Sequence, residues 1–331
     1  MHDCEVGLSI VVAVRSDPLL FCADMKVVAL FSGQGAQKVG MGRDFYESSA
    51  TAMAMLDHAD DELGFALSQI MFEGPEEQLM RTSRCQPALY LHGLIALALL
   101  SERVAEFDIV ATAGLSLGEL TAHAAAKTFT FEDGLRLAMR RGEFMEKSCE
   151  ETDGAMAALI GGEESAVREL AALCDVDVAN LNAPGQIVLS GTAAGIDAVA
   201  EKYRDFGIRR AIKLNVAGAY HSRLMRSAQE LLTAEMAGIT MHRPQIPVIC
   251  NYSAGNVSDP AEIRTMLEKQ VTGSVRWTES IQALCAQGHR RFIEFGPGRV
   301  LAGLMGKINP EAELMSIEDL AGLEAVIEKW G

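Results

Sequence analysis

Five residues, Gly114-Leu115-Ser116-Leu117-Gly118, constrain this chain more than any other stretch, because an apolar run at 109–113 leads into them and a helix-forming run at 119–127 leads out. Strand, tight turn and helix in that order make a nucleophile elbow. Such a turn lifts a serine hydroxyl between a base on one side and backbone donors on the other. The glycines have a mechanical reason: side chains at 114 and 118 would collide where the strand and helix pack at the turn. Ser116 is therefore the candidate nucleophile.

The rest of the chain supplies an α/β setting for that turn. Residues 27–31 are β-branched and apolar and break at Ser32-Gly33-Gln34-Gly35, which reads as a first parallel strand delivering a glycine-rich loop. Helical spacing predicts helices over 45–63 and 87–100, the second nearly all apolar and so buried. A further helix over 131–149 carries the adjacent pair Arg140 and Arg141 near its end. From Gly154 the pattern changes to strand 155–160, helix 163–174, strands 176–181 and 186–190, helix 194–206 and strand 210–216. That order is a ferredoxin-like unit. Strands at 247–251 and 291–295 follow, the last ending in Gly296-Pro297-Gly298. With no repeat or low-complexity linker, the small unit (153–216) reads as an insertion in a discontinuous α/β domain (25–152 and 217–331). Residues 1–24 are expected to form an extension outside the catalytic fold, because the first strand begins right after Met25.

Composition narrows the function classes. The chain has 331 residues, 49% hydrophobic and 22% charged, the profile of a soluble globular protein with a sizeable core. A formal net charge of -16 argues against nucleic acid and anionic membrane as partners. The apolar stretch 8–14 is far below the roughly 20 residues that span a bilayer. Seven scattered cysteines without a Cys-x-x-Cys pair, and seven histidines without His-x-x-x-His spacing, suggest neither a disulfide framework nor a metal site. A reducing cytoplasm and no cofactor are the expectation.

A catalytic serine needs a base. The best candidate is His221, in Gly218-Ala219-Tyr220-His221-Ser222, where the small unit returns to the large one and interdomain seams favour active sites. With an ordinary pKa near 6.5, imidazole can take the serine proton and return it to a leaving thiolate. Backbone amides of the loop Gly33-Gln34-Gly35-Ala36-Gln37, with the Leu117 amide after the nucleophile, could receive a developing oxyanion. Arg140 and Arg141 could offset the dipole of their helix, or one of them could clamp a substrate carboxylate.

These motifs together resemble the malonyl-CoA:acyl carrier protein transacylases. The resemblance is carried by Phe31-Ser32-Gly33-Gln34-Gly35-Ala36-Gln37, the elbow with Glu119, Met139-Arg140-Arg141-Gly142, Gly154-Ala155-Met156-Ala157-Ala158, Asn182-Ala183-Pro184-Gly185-Gln186, His221-Ser222 and Glu294-Phe295-Gly296-Pro297-Gly298, in that order. It implies an α/β-hydrolase-like large subdomain with a ferredoxin-like insert. It further implies Ser116 as nucleophile, His221 as its base, Arg141 as carboxylate clamp, and the Gln34 and Leu117 amides as the oxyanion hole. Gln270 would orient the histidine through its main-chain carbonyl, and Asn182 would lie in the pocket. The implied reaction moves a malonyl group from malonyl-CoA through Ser116 to the phosphopantetheine thiol of acyl carrier protein, supplying extender units for fatty acid synthesis. Two residues depart from the family pattern: Leu115 stands where histidine is common, and Tyr220 occupies a position that varies with acyl-group preference.

Two other readings compete. A hydrolase of patatin type would pair the serine with an aspartate, for which Asp153-Gly154 is the nearby echo, and a scaffold that merely binds carrier protein would need no chemistry. Because carrier proteins are acidic, docking is expected on a local positive patch, and Lys202, Arg204, Arg209, Arg210 and Lys213 concentrate on the insert.

Overall fold

The apolar run at 27–31 forms the middle of a parallel sheet. The computed structural model of the chain describes residues 25–104 and 107–331, so the extension expected over 1–24 lies outside the described residues. The strands in chain order are β1 (Met25–Phe31), β2 (Phe107–Gly114), β3 (Gly154–Ile160), β4 (Asp177–Ala183), β5 (Gln186–Thr192), β6 (Arg210–Lys213), β7 (Val248–Ile249), β8 (Arg291–Phe295) and β9 (Glu313–Ile317). Helices of the first half are α1 (Arg43–Ser48), α2 (Ala50–Leu63), α3 (Leu67–Glu73), α4 (Glu76–Met80), α5 (Thr82–Arg103), α6 (Gly118–Ala125) and α7 (Phe131–Glu151). Those of the second half are α8 (Glu164–Leu173), α9 (Ala193–Lys202), α10 (Arg226–Ala237), α11 (Pro260–Thr272), α12 (Trp277–Ala286), α13 (Val300–Ile308) and α14 (Leu320–Trp330).

The large sheet has the order β7-β2-β1-β8-β9 with every pairing parallel. Residues Val27, Val28, Ala29, Leu30 and Phe31 are all buried, as a central parallel strand covered on both faces requires. Strand order reverses at β1, so the loops after β1, β2 and β7 meet at one carboxyl edge, where α/β sheets form their crevice. A second, antiparallel sheet has the order β4-β5-β3-β6, and α8 and α9 connect its strands. That is the ferredoxin-like arrangement, inserted between α7 and α10 of the large α/β unit.

Several elements differ from the sequence reading. The single helix expected over 45–63 is two, because Ser49 takes an extended conformation and its side chain caps α2 by accepting from the Ala52 amide. The buried helix begins at Thr82 rather than 87, so Gln86 belongs to it. Helix α7 runs on to Glu151, which puts Arg140 and Arg141 near its middle and removes the dipole-capping role considered for them. Strand β9 and helix α14 extend the large unit beyond the last strand read from sequence. No helix among the described residues is long and apolar enough to cross a membrane.

Candidate active site

The elbow forms as its glycines require. A Cβ on Gly114 would lie 1.9 Å from the Gly118 carbonyl oxygen, and one on Gly118 would lie 2.2 Å from the Phe31 oxygen. Ser116 itself sits at φ 54, the left-handed region that a side chain adopts only when its surroundings hold it there. The holding groups are visible: Asn251 Oδ1 accepts from the Ser116 amide at 2.7 Å, and Asn251 Nδ2 donates to the Gly114 oxygen at 2.8 Å.

Ser116 Oγ lies 2.8 Å from His221 Nε2, and His221 Nδ1 lies 2.8 Å from the main-chain oxygen of Gln270. A carbonyl only accepts, so Nδ1 carries the proton and Nε2 is left to accept from the serine hydroxyl. Burial, with the nearby Arg141 guanidinium, lowers the His221 pKa to about 4 and keeps the ring neutral at pH 7.

Arg141 and Arg140 separate cleanly. Arg140 faces solvent and pairs with Glu143 at 2.9 Å, whereas Arg141 is 2% exposed and turns inward. Its Nη1 donates to Gln86 Oε1 at 2.8 Å, and its Nη2 to Gln270 Oε1 at 3.0 Å and to Ser116 Oγ at 3.2 Å. All three partners are uncharged. Burial lowers its pKa to about 10, which still leaves it a cation at neutral pH.

Gly33 backs onto the elbow, since a Cβ there would lie 2.4 Å from the Leu115 oxygen, and this brings Gln34 beside Ser116. Among the described residues, neither the Gln34 nor the Leu117 amide donates to a protein acceptor. Leu117 is the residue before α6, where helix amides point outward and favour negative charge. A cleft of about 980 Å³ opens onto Ser116 and His221 between the two subdomains, with Gln34, Thr82, Met145 and Tyr220 on one wall and Met156, Asn182 and Leu214 on the other. Tyr220 is tied to the wall through Thr82 Oγ1 at 2.8 Å, and the buried Asn182 Oδ1 has no partner. Asp153 is exposed and lines no part of this cleft, so the geometry lends nothing to a serine-aspartate pair. None of Lys202, Arg204, Arg209, Arg210 and Lys213 lines it either; they lie on α9, the turn after it and the edge strand β6.

Beneath the nucleophile lies a layer that the sequence reading did not assign. Glu119, fully buried, accepts at Oε2 from the Asn251 amide at 2.8 Å and from Gln270 Nε2 at 2.6 Å. Burial pushes its pKa up to about 7 against those hydrogen bonds. Its Oε1 and His123 Nε2, 4.0 Å apart, are both without a hydrogen-bond partner. With Cys250 they form a buried trio whose ligand atoms come within 4.8 Å, but burial pushes the Cys250 thiol up, away from the thiolate that binds metal. The available signal for Asn251 was a polar residue directly after a buried strand, and for Gln86 and Glu119 a polar residue inside an apolar helix.

Known proteins resemble this chain over nearly its whole length. The profile of the acyl transferase domain matches residues 28–323. The malonyl CoA-acyl carrier protein transacylase of Bacillus subtilis is 39% identical over 308 residues, 92% of this chain and 96% of that protein. The crystal structure of an acyl carrier protein S-malonyltransferase from Vibrio cholerae superposes with a TM-score of 0.88 at 34% identity, covering 91% of this chain and 99% of that one. PlMCAT, a malonyl-transacylase in complex with the type II polyketide acyl-carrier protein AntF, superposes with a TM-score of 0.87 at 31% identity over 92% of this chain and 99% of that one.

Proposed function

The chain belongs to the malonyl-CoA:acyl carrier protein transacylases of the acyl transferase domain family, and on that premise we propose that it carries malonyl on Ser116 between two thiols. The enzyme is an acyl carrier protein S-malonyltransferase. The observation that carries the serine route is one continuous line of groups: Gln270 oxygen, His221, Ser116 Oγ, with Arg141 Nη2 3.2 Å from that same Oγ.

In the proposed first half-reaction, Ser116 Oγ attacks the malonyl thioester carbonyl while its proton passes to His221 Nε2. The Gln34 and Leu117 amides receive the oxyanion. Collapse of the tetrahedral intermediate breaks the carbon-sulfur bond, and coenzyme A leaves as a thiol with the proton from His221. In the second half-reaction the phosphopantetheine thiol of acyl carrier protein gives its proton to His221 and attacks the malonyl-serine carbonyl, and collapse breaks the ester carbon-oxygen bond as His221 returns the proton to Ser116 Oγ. Kinetics are then ping-pong. The seam between the subdomains, with Met145, Met156 and Leu214, favours a thiol over water as acceptor. Asn182 lines the cleft, and we assign it to the wall that receives the substrate arm. We assign the product to fatty acid synthesis as an extender unit.

Arg141 gives the reaction its selectivity. A charge-assisted hydrogen-bonded pair worth about 1.5 to 3 kcal/mol corresponds to a preference of roughly 10- to 100-fold for malonyl over acetyl. Arg141→Ala is expected to bring the malonyl/acetyl ratio of kcat/KM toward unity; an unchanged ratio removes Arg141 from the binding step.

A further inference from the structure

Gln270 has a side chain whose two ends are almost the same shape and opposite in hydrogen bonding. Its nitrogen faces three acceptors, the Ser116 oxygen at 3.0 Å, Glu119 Oε2 at 2.6 Å and Asn251 Oδ1 at 3.3 Å, while its oxygen faces the Arg141 guanidinium at 3.0 Å. Reversing the amide would set NH2 against a cation and an oxygen against three oxygens. Glu119 makes the shortest of these contacts and comes from a different element, α6. Its other partner at the same oxygen is the Asn251 amide, and Asn251 holds the Ser116 amide in turn.

We propose that Glu119 is a positioning residue that fixes the Gln270 amide with its oxygen toward Arg141, and so holds the guanidinium beside Ser116 without pairing with it. No hydrogen bond or ion pair joins Glu119 to Arg141 directly. An amide placed between the carboxyl and the guanidinium orients the cation without an ion-pair contact, so Glu119 acts on Arg141 only through space and the substrate carboxylate is the first anion to touch it. Both donors use Oε2, so the role needs an oxygen at that point and not a particular protonation state. The inference rests on the reading that Arg141 receives the malonyl carboxylate.

The test compares acylation by malonyl-CoA and by acetyl-CoA in Glu119→Ala, Glu119→Gln and Gln270→Met, with Arg141→Ala as the reference. Glu119→Ala is expected to raise KM for malonyl-CoA by about tenfold more than that for acetyl-CoA, whatever loss in kcat the two donors share through Asn251 and Ser116. Glu119→Gln keeps an oxygen for both donors and turns its NH2 toward the unpartnered His123 nitrogen, so it is expected to restore malonyl KM to within about threefold. Gln270→Met removes the amide itself; losing its donor to the Ser116 oxygen is expected to slow both donors, and losing its acceptor for Arg141 to lower the malonyl/acetyl ratio of kcat/KM by about tenfold, which serves as the readout if Glu119→Ala does not fold. Equal losses for both donors in Glu119→Ala or in Gln270→Met, or a Glu119→Gln enzyme no better than Glu119→Ala, would overturn the proposal. An unchanged malonyl/acetyl ratio in Arg141→Ala would instead remove the reading beneath it.

Discussion

A ring nitrogen 2.8 Å from a serine hydroxyl takes up its proton only if the imidazole arrives neutral. His221 meets that condition because burial and the Arg141 charge lower its pKa to about 4. The same charge makes protonation of the ring harder during attack. A bound malonyl carboxylate cancels it, so in the proposed reaction the correct substrate strengthens its own base. The sign follows directly: protonation of His221 below about pH 4 stops acylation, and the rate is level on the acid side up to neutrality. In Arg141→Ala one of the two causes is gone, and the acid limb of kcat/KM for acetyl-CoA is expected to move to higher pH. A limb that stays in place would mean that the guanidinium does not act on the base.

Elements bring these residues together, each delivering one group to the carboxyl edge of the sheet: β1 leads to Gln34, β2 to Ser116 and β7 to Asn251. Glu294, at the end of β8, does similar work for α13. Its Oε1 accepts from the Leu301 amide at 2.9 Å and its Oε2 from the Ala302 amide at 3.0 Å and Ser316 Oγ at 3.2 Å. Glu294→Ala leaves two helix amides unpaired and is expected to cost about 2 to 4 kcal/mol, read as a lower urea midpoint. The elbow was legible in the sequence because strand, turn, glycines and helix are contiguous. From the residues alone Arg141 was legible only as one of a pair, since which arginine turns inward depends on how α7 packs on α5, and it was the family resemblance that singled it out. Asn251, Gln86 and Glu119 were not legible as site residues, because their partners lie on elements distant in sequence. Strand β9 escaped notice as a half-buried edge with Glu313 and Ser316 in it.

At the scale of the whole molecule the active cleft is a seam, lined by the large unit on one side and the ferredoxin-like insert on the other. Among the described residues three histidines are buried with lowered pKa: His92 to about 4, His123 to about 3 and His221 to about 4. The unfolded chain takes up protons at these rings near pH 6.5 that the fold refuses, so stability falls as pH drops below that value. Glu119, raised to about 7, and Glu294, also raised by burial, oppose part of this effect, and the three histidines together outweigh them, so stability still falls as the pH drops from 7 to about 5. Urea unfolding at a series of pH values checks this; flat stability from pH 7 to about 5 would contradict it. The central claim is tested most directly by intact-mass measurement after mixing the enzyme with malonyl-CoA. The account predicts one malonyl adduct on Ser116 that persists alone and disappears when acyl carrier protein is added, with the mass gained by the carrier. No adduct at Ser116, or an adduct lost equally fast to water without the carrier, would contradict it.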